Sequence, residues 1–198
     1  MRIKSNWYKS GHERTPQEIS DALAFVVSRI ADNALKNTRK DKFEIEVGTQ
    51  YFEFLAEFLI FLILVGDRIA YRQLSAEDRL AFTSNLANRV GETFAENRSR
   101  LLVEDFKECK QRFIDQLNQR AGEYADFGYT ENGPEHSFYR YLAYCISQLM
   151  NEADSGWIID QMISFEAPEA VQMVEKTLRG LYEEEPKQTR RRASVSGD

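Results

Sequence analysis

Apolar side chains at Ile19, Leu23, Val26, Ile30, Ala34 and Leu35 recur every three or four positions, the spacing that lines one face of an α-helix. Asp21, Arg29, Asp32 and Lys36 fall between them, so the pattern predicts a helix with one buried face. Its start is marked by Thr15-Pro16-Gln17-Glu18: an N-cap hydroxyl, a proline whose missing N–H costs nothing in the first turn, and a glutamate that closes a capping box. The polar run at residues 36–42 ends it.

The next stretch is different in kind. From about Val47 to Leu74 the chain again reads as helix, but the nine residues from Phe58 to Gly66 carry no polar side chain. A helix apolar on every side needs neighbours on every side. A membrane span would need about 20 predominantly apolar residues. Glu53, Glu57, Asp67 and Arg68 bracket the run well short of that. The reading is a central core helix with polar shoulders.

Ser75-Ala76-Glu77-Asp78 caps a third helix, and apolar spacing continues through Thr83, Ala87, Val90, Phe94 and Leu101. A second stripe follows at Leu102, Phe106, Cys109, Phe113, Leu117 and Tyr124. A loosening near Gly91 or Asn97-Arg98-Ser99 would divide them, and the pattern leaves open whether residues 76–128 form one helix or two. Glu131-Asn132-Gly133-Pro134 is the strongest break, with a helix restarting at Pro134. Asp154-Ser155-Gly156 opens a shorter helix, and Pro168 starts the last one. Only Phe43-Glu44-Ile45-Glu46-Val47 alternates as a strand would.

The predicted fold is therefore all-α: a single-domain bundle of about six to seven helices around the central helix at about 47–74. It divides into an N-terminal arm (1–14), a helical domain (15–183) and a flexible basic tail (184–198). The chain has 198 residues and a net charge of −6, which argues against nucleic acid as a main partner. Residues 187–198 hold four basic residues and one acidic, leaving a body of −9 (−6 minus +3). Within the tail, Arg191-Arg192-Ala193-Ser194-Val195 fits a basophilic kinase pattern and makes Ser194 a candidate phosphorylation site.

Candidate chemistry is sparse. Glu53 and Glu57 lie one helical turn apart, about 40° round the axis, where two carboxylates can share a divalent cation. Neither histidine, His12 or His136, stands three residues after a glutamate, as a di-iron bundle would want. Cys109 and Cys145 fall on apolar stripes and read as reduced, buried thiols. No Gly-rich phosphate loop is present, and no cofactor is implied. Around the Gly133-Pro134 turn gather Tyr124, Phe127, Tyr129, Phe138, Tyr139, Tyr141 and Tyr144. Tyrosines favour partner-binding surfaces, which makes Tyr129, Tyr139 and Tyr141 candidates for protein contact.

The residues thus favour a non-enzymatic interaction or regulatory module, binding a protein partner or a second copy of itself. Two alternatives stand beside it: a metal- or small-molecule-dependent helical enzyme using Glu53 and Glu57, and a membrane-peripheral protein using the Phe-rich segment. With no apolar run after the basic N-terminus to serve as a signal peptide, the expected compartment is the cytoplasm.

Overall fold

The computed structural model describes residues 14–41 and 43–182. The N-terminal arm before Arg14, Ser194 and the rest of the basic tail lie outside them.

Helix α1 (Pro16–Lys40) begins as expected: the Thr15 hydroxyl accepts from the Glu18 N–H, and the Glu18 carboxylate accepts from the Thr15 N–H. Its buried face is Ile19, Leu23, Val27, Ile30, Ala34 and Leu35. Among the described residues Phe43–Val47 pairs with no strand, and Ile45 alone of the five is buried. Gly48, at φ 137°, then turns the chain into helix α2 (Thr49–Gln73) in a conformation that a side chain would oppose.

Helix α2 is the centre of the molecule. It touches α1, helix α3 (Ala76–Leu102), helix α4 (Phe106–Tyr124), helix α5 (His136–Ser147) and helix α7 (Ala167–Tyr182). Every side chain from Phe58 to Ile63 is buried, so the all-round apolar run is answered by all-round packing. Gly66 sets the closest approach: a Cβ there would meet Leu23 Cδ2 at 3.2 Å and Leu86 Cδ2 at 3.3 Å. No described helix is long and apolar enough to cross a membrane.

Residues 76–124 form two helices, and neither sequence candidate for the break is where it falls. Helix α3 runs unbroken through Gly91 and Ser99 to Leu102. Gly91 is kept in the helix because Phe113 packs against it, 3.2 Å from where a Cβ would sit. The turn comes at Val103, which adopts the left-handed conformation (φ 56°), and Asp105 caps α4 by accepting from the Glu108 N–H.

The Gly133-Pro134 break is a two-residue hairpin, with β1 (Tyr129–Thr130) antiparallel to β2 (Gly133–Pro134). The following helix starts two residues later than expected, at His136. Pro168 does not start a helix either. Helix α6 (Ser155–Gln161) runs through a π turn (Met162–Glu166) straight into α7. The wide turn sits immediately before the proline. Its looser backbone receives a residue that has no N–H to give and whose ring crowds the preceding turn.

Candidate functional site

The two carboxylates singled out in the sequence have different surroundings. Glu57, only 6% exposed, receives Arg120 Nη2 at 2.6 Å and Arg120 Nε at 3.0 Å, and Gln116 Nε2 at 2.8 Å. Both its oxygens are occupied by donors from α4. Glu53 instead lines a cleft of about 260 Å³ with Arg98, Arg112, Gln116 and Phe113. Among the described residues no group of three or more His, Cys, Asp and Glu side chains is placed to hold a metal ion.

Arg120 continues the network outward. Its Nη1 donates to Glu123 Oε2 at 2.7 Å and to the Tyr141 hydroxyl at 3.2 Å, and that hydroxyl donates to Glu123 at 2.5 Å. Hydrogen bonding to Glu57 holds the Arg120 guanidinium charged even more firmly than usual. Burial pushes the Glu123 carboxyl upward, but hydrogen bonds from Tyr141 and Arg120 outweigh it and leave it below the ordinary value. Burial, reinforced by the Glu57 charge, pushes the nearby Cys145 thiol up to about 12. A thiol so placed stays protonated and is no nucleophile. One guanidinium serves two carboxylates, with Gln116 and Tyr141 supplying neutral donors, so this network ties α2, α4 and α5 together.

Tyr129, Tyr139 and Tyr141 are half-buried, and their rings pack on the domain's own aromatic core. Tyr141 meets Tyr124 edge-on at 5.0 Å, Tyr139 lies 6.3 Å from Phe61, and Tyr129 meets Phe138 edge-on at 5.9 Å. Arg72 covers the Tyr129 ring at 5.5 Å. Of the seven aromatics near the turn, Tyr144 is the exposed one. Both cysteines are free and buried.

A second charged cluster closes the α3–α4 turn. Glu104 accepts from Arg98 Nε at 3.0 Å, from Arg112 and from the Cys109 thiol at 3.1 Å. The Arg98 and Cys109 hydrogen bonds hold its carboxyl at about 2. Burial and the neighbouring Glu104 carboxylate raise the Cys109 thiol, so it too is unreactive.

No protein-family model matches this chain, and no curated protein or solved structure matches it.

Two large exposed rings lie on the outward face of the continuous helix Ser155–Tyr182. Trp157 is 72% exposed and Phe165 63%, with Met173 exposed further along. In a plain α-helix seven residues complete nearly two turns. The π turn takes about one residue more, so Trp157 and Phe165, eight apart, stand one above the other. The opposite face, with Ile158, Met162, Ala170, Val171, Val174 and Leu178, is buried in the core. This aligned pair was invisible to α-helical spacing, which sets Trp157 and Phe165 about 80° apart. Two open grooves lie elsewhere: one of about 530 Å³ between α1 and α3, bordered by Phe25, Arg100 and Phe106, and one of about 570 Å³ over Leu64, Leu80 and Leu117.

Proposed function

We propose that this chain is a non-enzymatic helical interaction module that self-associates through the outward face of α6 and α7. What carries the reading is the exposure of two large aromatic rings, Trp157 and Phe165, on one helix whose intervening π turn brings their positions toward the same face. Isolated surface apolar residues need no explanation, but aligned large rings mark contact surfaces, where Trp and Phe are enriched. The sequence candidates Tyr129, Tyr139 and Tyr141 support contact less well, because their rings already pack within the domain.

The carboxylate alternative asks Glu53 and Glu57 to share a ligand, and Arg120 and Gln116 already occupy Glu57. The membrane-peripheral alternative asks the Phe-rich segment for an apolar face, and Phe54, Phe58 and Phe61 are all enclosed. Two free buried thiols fit a reducing compartment such as the cytosol.

Sedimentation velocity of the full chain over a range of concentrations tests the reading. The wild type is expected to associate, and Trp157→Ser with Phe165→Ser is expected to be monomeric with an unchanged helical circular-dichroism spectrum. A wild type that stays monomeric, or a double variant that associates as the wild type does, overturns it.

A further inference from the structure

On the outward face of Ser155–Tyr182, with the exposed Glu169 between them, Asp160 stands on the α6 half and Lys176 and Arg179 stand on the α7 half. These last three are all exposed, and none has an ion-pair partner among the described residues. A face with acid at one end and base at the other complements its own reverse.

We infer that the partner at this face is a second copy of the chain, packed antiparallel about a two-fold axis crossing the helix near Pro168 and Glu169, so that Asp160 of each copy meets Lys176 and Arg179 of the other. The inference rests on the self-association proposed above and adds its partner geometry. The axis position follows from the charges: residue 168 is midway between Asp160 and Lys176, and the midpoint of Asp160 and Arg179 falls between residues 169 and 170. A two-fold interface uses one patch twice, so the patch must be self-complementary. Packing the two helices parallel would set Asp160 over Asp160 and Lys176 over Lys176, which like-charge repulsion disfavours. In the antiparallel arrangement each Trp157 lies at the partner's basic end, where a guanidinium or ammonium can sit over its ring. Phe165 packs beside the axis. Glu169, also exposed, meets its own twin there, so the arrangement carries one built-in repulsion.

Charge reversal and mixing of full-length chains tests this. Asp160→Lys alone, and Lys176→Glu with Arg179→Glu alone, are each expected to weaken self-association at least tenfold in sedimentation velocity. Mixed in equal amounts, the two variants are expected to form a heterodimer of near wild-type affinity. Glu169→Gln is expected to tighten the wild-type dimer. If the wild type associates but neither reversal weakens it, or if mixing restores nothing, the antiparallel arrangement is wrong while the self-association reading survives. If the wild type is monomeric at all concentrations, both fall together.

Discussion

Arg120→Met removes the only cation paired with Glu57 among the described residues. That carboxylate is 6% exposed, and the side chain of Arg120 is 19% exposed, so water reaches the pair poorly from either side. After substitution Glu57 keeps a single donor, Gln116 Nε2. Breaking a buried ion pair from one side costs about 3–5 kcal/mol, because the remaining charge stays desolvated without compensation. Glu123, the other carboxylate on Arg120, has a third of its side chain in water and adds little. For a chain of this size about 2–4 °C of Tm goes with each kcal/mol, so the melt should fall by about 6–20 °C. Glu57→Leu combined with Arg120→Met should recover most of the loss, since an apolar pair of similar volume is often neutral where an ion pair was buried. Urea denaturation followed by circular dichroism gives both free energies, and the double-mutant cycle gives the coupling. A loss under about 1 kcal/mol for Arg120→Met would show that the pair behaves as a surface pair, and the reasoning would fail.

Three further outcomes follow from the same geometry. Val103→Gly should stabilise the protein by about 1 kcal/mol in urea titration, because a β-branched residue that is 91% exposed in the left-handed region is strained without packing in return. Gly66→Leu should destabilise it by about 1–3 kcal/mol or more, since Leu23 and Leu86 already close over the backbone there. The Glu104 carboxyl is held at about 2, below its unfolded value of 4.5, so its contribution is present above 4.5 and is lost as pH falls toward 2. With 27% of that side chain in solvent the contribution is about 1 kcal/mol, and Glu104→Gln should flatten the acid limb of stability against pH between those values.

Local signals in the sequence translated well into structure. The Thr15–Glu18 box, the Ser75 cap and the all-round apolar Phe58–Ile63 segment each act within a few residues, and each forms as its chemistry requires. The α3–α4 turn was not legible, because the residue that turns left-handed is Val103, the side-chain type least suited to it. Gly91 looked like a break and instead accommodates Phe113 from another helix. The π turn hid for a similar reason: Pro168 is an ordinary helix-start signal, and only the register of the finished core shows that the chain continues through it.

The polar network was half visible. Glu57 and Tyr141 both stand out along the sequence, for separate reasons. The residue that joins them, Arg120, lies 63 positions from Glu57 and gives no pattern along the chain. The aligned Trp157 and Phe165 were out of reach for the same reason as the π turn that aligns them.

Oxidative cross-linking of the Glu169→Cys variant probes the two-fold face itself. The native thiols at Cys109 and Cys145 are buried and do not compete. If two copies meet antiparallel through α6 and α7, the thiol introduced at position 169 faces its twin near the axis, and a disulfide-linked dimer forms on mild oxidation. The control variant Tyr71→Cys, exposed near the end of α2, remains monomeric under the same conditions. Cross-linking at position 71 and none at 169 would show that the copies do not meet at this face.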